Sequence, residues 1–289
     1  MYIVLGGTGH AGSALVEALL SRGERVTLVA RDRAKARGLE ALGARVVIAD
    51  IRDVDALRQA YRQGERLYML NPPADPSTDT QARERETISS MLRALEGSGI
   101  KKVVAHSTSG ARPGELMGDL NVLYEMEQGL KRTGIPTSVL RATYYMSNWD
   151  RALDMAKDQG VLRTFFPADL KIPMVAPHDL GVVAADLLMA PVEQSECVHV
   201  EGPARYSSAD VAAALAAALG RDIETETIPE RDWIDAFKSF GFSERAATSY
   251  ANMTRAVCEE EFPPANNAIH GTTSLAEYIR RRSGPRGGD

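Results

Sequence analysis

Three glycines near the start of the chain have the spacing of a phosphate-binding loop. Gly6, Gly9 and Gly12 follow a short apolar run, Tyr2 to Leu5, and precede a stretch with helical periodicity. Such glycines permit a tight turn, close approach of the backbone to a pyrophosphate and close packing of helix against strand. The N–H groups that open the helix would then face the phosphates, so the loop predicts a bound dinucleotide. The other residues expected to line the loop are Thr8, His10 and Ala11.

The end of the second predicted strand bears on the choice between NAD and NADP. An acidic residue there would bind the ribose 2′-hydroxyl of NAD, whereas an arginine can fork onto the 2′-phosphate of NADP. The residues that follow this strand are Arg31, Asp32 and Arg33. Arg31, with Arg33 or Lys35 in support, predicts a preference for NADP(H). If Asp32 faced the ribose instead, NAD(H) would be bound, and that alternative stays open.

Further cofactor contacts are expected where the third, fourth and sixth predicted strands end. Asp50 is placed to accept a hydrogen bond from the adenine amino group, and Ile51 to flank the ring; the alternative for Asp50 is a simple turn residue. Asn71, which two prolines follow, is placed to line the channel toward the nicotinamide. Ala142 follows the sixth strand and is expected near the nicotinamide.

Side chains that could handle a proton follow the fifth predicted strand. Ser107 or Thr108 could hold a carbonyl oxygen, and His106 could shuttle a proton. The alternative for His106 is a polar residue that merely ends a strand. The residues expected to form the walls of a pocket for a flat ring are Thr143, Tyr144, Tyr145 and Asn148. Core packing is the alternative for the aromatic ones.

The elements that must position these residues alternate in the first half between apolar strands and amphipathic helices. The predicted strands are Tyr2 to Leu5, Arg25 to Val29, Arg45 to Ile48, Arg66 to Leu70, Lys102 to His106 and Pro136 to Arg141. The predicted helices lie near Ala11 to Ser21, Ala34 to Leu42, Val54 to Arg62, Thr78 to Ser98 and Asp119 to Arg132. This alternation predicts an α/β fold, a doubly wound parallel sheet of the Rossmann type, with its ligand crevice at the carboxyl ends of the strands.

The second half contains more helix and fewer strands. Asp179 to Met189 and Ser208 to Leu219 are apolar-rich helical stretches. We therefore predict an NAD(P)-binding domain over residues 1–145 and a smaller, mainly helical C-terminal part over residues 146–289 that forms the substrate pocket. The two are expected to interleave, because residues 173–205 can return strands to the main sheet.

Composition narrows the function classes. The chain has 289 residues, 44% of them hydrophobic, and a net charge of −5, which argues against nucleic acid as a partner. No apolar stretch approaches the roughly 20 residues that cross a bilayer, so no membrane association is expected. The first residues leave no room for a secretory signal, and a cytoplasmic protein is expected. The two cysteines lack metal-site spacing, so no metal is expected. A homodimer is left open.

The combined motifs resemble those of the NmrA-like group of atypical short-chain dehydrogenases/reductases, over nearly the whole chain. The resemblance rests on the opening GGTGHAG, on Arg31 with Lys35, on the segment Glu127 to Arg141 and on the aromatic-then-Asn segment Tyr145 to Asn148. Two shorter matches are Gly202-Pro203 and Ala217 to Gly220. The resemblance implies a bound NADP(H). The group includes NADPH-dependent quinone and dye reductases, isoflavone-reductase relatives, and regulators that bind the cofactor without turnover.

The active-site helix departs from the YxxxK pattern of typical short-chain dehydrogenases. In that pattern the tyrosine donates a proton and the lysine lowers its pKa. Tyr124, the candidate tyrosine, is followed four residues later by Gln128. Lys131 lies seven residues on, roughly 10 Å along a helix, which is too far for direct coupling. Leu123 stands where relatives with a KxxxE pattern carry their lysine before Glu127.

We therefore expect an NADPH-dependent oxidoreductase that transfers hydride to a quinone-like or other small conjugated or carbonyl acceptor. A reduced quinone delocalises its oxygen charge, so water or a weak donor suffices without the lysine. The alternative is a non-catalytic NADP(H)-binding redox sensor that acts through a protein partner, which the missing lysine favours. Epimerase chemistry on a nucleotide sugar ranks below both, because it normally needs that tyrosine and lysine.

Overall fold

The computed structural model of the chain describes residues 1–259 and 268–283. Its strands, in chain order, are β1 (Tyr2–Leu5), β2 (Val26–Ala30), β3 (Arg45–Ile48), β4 (Arg66–Leu70), β5 (Lys102–Thr108), β6 (Thr137–Ala142), β7 (Tyr144–Tyr145), β8 (Val161–Thr164), β9 (Ile172–Val175), β10 (Cys197–Glu201), β11 (Arg205–Tyr206), β12 (Glu224–Thr227) and β13 (Ala268–His270). Its α-helices are α1 (His10–Ser21), α2 (Arg37–Ala41), α3 (Val54–Tyr61), α4 (Thr80–Leu95), α5 (Asp119–Thr133), α6 (Asp150–Gln159), α7 (Pro177–Met189), α8 (Ser208–Leu219), α9 (Trp233–Ser239), α10 (Glu244–Glu259) and α11 (Leu275–Ser283).

A central sheet of eight parallel strands organises the fold, in the order β13-β10-β6-β5-β4-β1-β2-β3. The chain winds outward from β1, which pairs with β2 on one side and with β4 on the other. In sheets of this kind the ligand crevice lies at the carboxyl ends of the strands, where the direction of winding reverses. The fold is therefore the predicted doubly wound α/β sheet, and the candidate ligand site lies beside the end of β1.

Two strands of this sheet come from the second half of the chain. β10 pairs with β6, and β13 pairs with β10 at the edge. The six strands predicted from the first half are all present, but they do not complete the sheet. The helix predicted from Ala34 to Leu42 is also different, because it is split into a short 3₁₀ turn, Ala34–Ala36, and α2.

Helices cover both faces of the sheet, and strand alternation assigns each side chain to one face. On β4 and β5, Tyr68 and Val104 face α1 and α7, whereas Leu67 and Val103 face α3, α4 and α5. α1 and α7 cross closely at Gly181, where a Cβ would lie 2.5 Å from Ala14 Cβ. The alternation decides which strand-end residues can meet in the crevice.

The residues after β6 form a further apolar cluster between α6, α8 and α11, centred on Trp149, Leu162 and Leu215. Two small sheets, β11-β9-β7 and β12-β8, border it. Within residues 1–259 and 268–283, no helix is both long and apolar enough to span a membrane.

Candidate active site

The glycine loop joins β1 to α1 with almost no free space around it. Gly6 has a φ of +67°, a conformation that favours glycine. The turn from Gly6 to Gly9 is closed by the Gly9 N–H, which donates to the Gly6 carbonyl at 3.0 Å. A Cβ on Gly12 would lie 2.2 Å from that same carbonyl oxygen and 2.7 Å from Gly7 Cα. Helix and loop are therefore in direct backbone contact at Gly12. The outer side of the loop, at Thr8 to His10, is exposed and accessible to a phosphate.

The N-terminus of α1 offers unsatisfied N–H groups to a ligand. Gly9 is its N-cap and supplies no side-chain cap, and the first intrahelical bond is from Ser13 N–H to the Gly9 carbonyl. Thr8, Gly9 and His10 are exposed at the mouth, while Ala11 is buried behind it. A pyrophosphate at this position would take up the free donors and the positive end of the helix dipole.

The residues after β2 are arranged for a phosphate more than for a ribose hydroxyl. Asp32 Oδ1 accepts the Ala34 N–H at 2.8 Å and so caps the following 3₁₀ turn. Arg33 is held by Glu40 in an ion pair of 2.8 Å. Arg31 and Lys35 are exposed and, within the described residues, neither forms a hydrogen bond or an ion pair. The two candidate phosphate ligands are therefore available, and the competing carboxylate is occupied.

Asp50, at the end of β3, is largely satisfied by its own neighbour. Its carboxylate accepts the Arg52 N–H at 2.9 Å and pairs with the Arg52 guanidinium at 3.2 Å. These bonds, with smaller contributions from the charges of Arg52 and Arg31, lower the pKa of Asp50. Ile51 is half-buried against the cluster under α3. The sequence did not single out Arg52, which adds a positive charge beside Arg31 where an adenosine phosphate would lie.

Asn71, directly after β4, has an amide oxygen without a partner. Its Oδ1 atom is buried and, among the described residues, accepts no hydrogen bond. Buried polar atoms are nearly always paired, so this oxygen is a candidate acceptor for a donor group of a ligand. The uncapped α1 and the available Arg31 fit the phosphates of a dinucleotide, and the Asn71 oxygen fits a donor group of its ribose or nicotinamide. Ala142, buried at the end of β6, borders the same edge and receives the Ser109 N–H on its carbonyl.

Strand alternation sends the candidate proton-handling residues of β5 to opposite faces. Ser107 points toward α5 and donates to Glu127 Oε1 at 2.6 Å. Glu127 is buried, and its carboxylate accepts two hydrogen bonds from the Arg141 guanidinium, of 3.0 and 2.7 Å. The Ser107 hydroxyl is thus committed to a structural ion pair. Thr108 donates only to the Ser109 carbonyl, at 3.3 Å.

His106 points to the other face, between two tyrosines. Tyr68 Oη contacts His106 Nδ1, and Tyr145 Oη contacts His106 Nε2, both within hydrogen-bonding distance. Both tyrosine rings stand edge-on to the imidazole, at centroid distances of 5.7 and 5.8 Å. Burial lowers the pKa of His106 to about 4, so its ring is neutral at physiological pH. We call these three side chains the Tyr68–His106–Tyr145 array.

The array meets the crevice at Tyr145. Tyr68 and His106 are buried, whereas Tyr145 is half-buried and packs with Leu70 on the cluster beneath the glycine loop. Burial, with a smaller contribution from the charge of Asp119, raises the pKa of Tyr145, so the phenol stays protonated. The Tyr145 hydroxyl thus carries its proton and can donate a hydrogen bond.

The remaining predicted wall residues are dispersed. Thr143 is buried and donates its hydroxyl to the Val200 carbonyl at 3.2 Å. Tyr144 packs edge-on to Trp149 and Phe166 in the cluster between α6 and α8, with Asn148 near its hydroxyl. Tyr124 is half-exposed on α5, and no hydrogen bond of its hydroxyl lies within the described residues. The structure therefore brings Tyr145 and His106 together and leaves Tyr124 and Tyr144 apart from them.

Two carboxyl groups that sequence reasoning passed over lie under the β4–α4 loop. Glu84, 3% exposed, accepts the Ala74 N–H at 3.0 Å. Burial, and then the charge of Asp119, raise the pKa of Glu84 to about 7. Burial likewise raises the pKa of Asp119. The sequence did not predict a functional role for these residues or for Tyr68, because a charged residue in a helix usually lies on the surface and a tyrosine in a strand usually packs in the core.

Helix α10 contacts two loops at the carboxyl ends of the strands. At its N-terminal end, Ser243, the residue before the helix, donates to the Thr78 carbonyl at 2.7 Å, and Arg245 pairs with Asp79 at 2.8 Å. Farther along, Ser249 Oγ accepts the Gly118 N–H at 3.1 Å. The loops after β4 and β5 are therefore anchored to one helix. No cluster of side chains suited to a metal occurs within the parts of the chain that the structure describes.

Comparison with known proteins agrees with this arrangement. A model of the NmrA-like family matches residues 2–268. The chain is 26% identical to an NAD(P)H azoreductase of Xenophilus azovorans over 248 residues, which cover 86% of this chain and 84% of that protein. It is 25% identical to quinone oxidoreductase 2 of Escherichia coli (strain K12) over 289 residues, with 96% and 97% covered.

Among solved structures, the Citrobacter sp. triphenylmethane reductase complexed with NADP(H) superposes with a TM-score of 0.81. The match covers 97% of this chain and 99% of that one, at 17% identity. At this identity the similarity shows the fold alone.

Proposed function

We propose that this chain, which belongs to the NmrA-like family, is an NADPH-dependent reductase that transfers hydride to a quinone-like acceptor. One observation carries the proposal: an open dinucleotide cradle, formed by the uncapped α1 and Arg31, lies next to Leu70, and Leu70 packs in the same cluster as the half-buried Tyr145. The names of the azoreductase and quinone oxidoreductase relatives support the same reaction class.

The chain's residues divide the work of binding. The N–H groups of the loop from Gly6 to Gly12 would hold the pyrophosphate, and Arg31 with Lys35 would hold the 2′-phosphate. Asn71 Oδ1 would accept a donor group of the ribose or nicotinamide. NADPH bound there supplies a hydride. The preference for NADP(H) over NAD(H) is supported by Asp32, whose carboxylate caps the turn instead of facing a ribose.

Residues 146–289 are proposed to complete the substrate pocket over the NAD(P)-binding residues 1–145. The contacts of α10 with the loops after β4 and β5 support this division of labour. The acceptor would be a small, flat molecule, because the half-buried Tyr145 offers an aromatic edge beside an otherwise apolar surface formed with Leu70.

The direct test is to mix the protein with NADPH and a panel of quinones, aldehydes and imines, and to follow the absorbance of the reduced cofactor. We expect turnover with quinones and little with simple aldehydes, whose alkoxide products need a stronger proton donor. Tight NADPH binding without turnover on any acceptor would contradict the reductase and would favour a cofactor sensor.

A further inference from the structure

The hydrogen bonds of the Tyr68–His106–Tyr145 array have a preferred direction. Tyr68 is fully buried, and its hydroxyl contacts no group other than His106 Nδ1 within the described residues. If Nδ1 carried the imidazole proton, the Tyr68 proton would have no acceptor, which costs about 1–3 kcal/mol for a buried donor. Tyr68 therefore donates to Nδ1.

This direction fixes the tautomer of the histidine. A neutral imidazole has one N–H, so an accepting Nδ1 places the proton on Nε2. Nε2–H then donates to Tyr145 Oη. The Tyr145 hydroxyl then accepts from His106, so its own proton is available to another acceptor, and Tyr145 is half-buried rather than fully buried.

We propose that Tyr145 is the proton donor to the reduced acceptor, with His106 and Tyr68 as residues that position it. The inference rests on the function proposed above, since it concerns the second half of the same reduction. It also gives a physical account of the absent lysine. The Nε2–H of His106, instead of a lysine ammonium group, stabilises the phenolate that forms on Tyr145.

The step is balanced as follows. One oxygen of the quinone takes up a hydride from the reduced nicotinamide, which becomes NADP⁺; this forms the first O–H bond and leaves the negative charge on the other oxygen. The Tyr145 O–H bond breaks, and its proton forms the second O–H bond of the hydroquinone. The phenolate then regains a proton from water in the crevice. It does not regain one through the array, because Tyr68, at the far end of the array, is fully buried away from water.

Two acceptors of different charge separate proton donation from hydride transfer. Reduction of 1,4-naphthoquinone needs a proton on oxygen, whereas crystal violet, a cationic triphenylmethane dye, becomes a neutral product by hydride addition alone. We expect Tyr145→Phe to lower kcat for naphthoquinone by about 10²-fold, the lower range for a lost general acid, with dye reduction almost unchanged. The Kd for NADPH should not change. Tyr61→Phe, which removes a buried hydroxyl outside the array, should leave both reactions unchanged.

The tautomer is tested without turnover. Nitrogen NMR of ¹⁵N-histidine-labelled protein, with the His106 signals assigned through His106→Asn, should show a neutral ring protonated at Nε2. In Tyr68→Phe the donor to Nδ1 is lost, so the Nδ1 resonance should move downfield, toward that of a ring nitrogen that accepts no hydrogen bond, while Nε2 keeps its proton. An Nδ1-protonated ring in the unmodified protein would overturn the proposed direction.

The outcomes separate this inference from the proposed function. If none of the acceptors tested is reduced by the unmodified protein, the reductase proposal fails. The NMR result alone then decides the direction of the hydrogen bonds in the array. If it reduces naphthoquinone but not the dye, the solvent isotope effect on kcat decides, since it should be present in the unmodified protein and absent in Tyr145→Phe. Equal losses on both acceptors, or no loss on either, would exclude Tyr145 as the proton donor.

Discussion

Arg31 is the side chain that most directly separates the two cofactors. Because no acidic group within the described residues pairs with it, its guanidinium is available for a 2′-phosphate. Arg31→Ala should weaken NADPH binding by about 1.5–3 kcal/mol, the worth of a charge-assisted hydrogen bond. NADH binding, measured by the same calorimetric titration, should be nearly unaffected because NADH lacks that phosphate. Arg37→Ala, an exposed arginine on α2, is the matched control. Equal losses for NADPH and NADH would show that Arg31 contacts another part of the cofactor.

Tyr61 carries a hydroxyl that the fold leaves unsatisfied. The side chain is fully buried at the end of α3, and its Oη atom finds no hydrogen-bond partner among the described residues. Tyr61→Phe removes the stranded polar group and keeps the ring, so the free energy of unfolding should rise by about 1 kcal/mol. Urea denaturation with an unchanged slope would measure this gain. A loss of stability would mean that the hydroxyl has a partner, such as a bound water.

The sequence predicted which residues could bind the cofactor or handle a proton, such as Arg31 and His106, but not the side chains that they or their neighbours contact. The end of β2 identified Arg31, yet only the structure showed that Asp32 accepts the Ala34 N–H and caps the following turn. His106 was predicted as a proton-handling residue, but Tyr68 was not, because its hydroxyl lies 38 residues away in sequence. Partners across neighbouring strands depend on register, which a single sequence does not give.

Alternation along β5 was, by contrast, contained in the sequence. Adjacent residues of a strand point to opposite faces, so His106 and Ser107 could not serve one reacting atom from the same strand. The structure assigns His106 to the face of α1 and α7 and Ser107 to Glu127 on α5. A prediction that applies the two-residue period to each strand end would have separated them.

Helix α4 brings the buried carboxyl of Glu84 beneath the β4–α4 loop. Its raised pKa means that the folded protein holds this proton more tightly than the unfolded chain does. Stability from Glu84 is therefore present below the unfolded pKa near 4.3 and is lost as pH rises toward the folded value of about 7. Glu84→Gln should remove that loss, so its stability relative to the unmodified protein should increase between pH 5 and 7.5, as measured by urea denaturation at each pH.

The matched control for Glu84 is Glu86→Gln on the same helix. Glu86 is exposed and pairs with Arg83 at 3.0 Å, so its substitution should shift stability little and without a slope in this pH range. His106 contributes in the opposite direction, because its pKa is lowered and its stabilising effect is lost as pH falls from 6.5 toward about 4. A Glu84→Gln difference that is flat with pH would indicate that the carboxyl is ionised in the folded protein.

The central sheet contains strands that local sequence patterns predict and strands that they do not. The first six strands follow from the alternation of apolar runs and helices, because each is joined to the next by a short crossover. β10 and β13 return to the sheet after excursions through the C-terminal residues, and β13 is a three-residue strand. Such returns are decided by long-range pairing energy, which leaves little trace in the sequence of so short a strand.

Helix α10 and the residue before it hold two loops from the other half of the chain. Ser249, 1% exposed on α10, accepts the Gly118 N–H just before α5. Ser249→Ala would leave that buried N–H unpaired, at a cost of about 1–3 kcal/mol, and would loosen the β5–α5 loop. Since the glycine loop and Arg31 lie elsewhere, we expect an unchanged Kd for NADPH and a KM for naphthoquinone that rises several-fold. Thr248→Ala, whose exposed hydroxyl bonds within α10 to Glu244, is the control and should change neither. A rise in the NADPH Kd of Ser249→Ala would show instead that α10 supports the cofactor site.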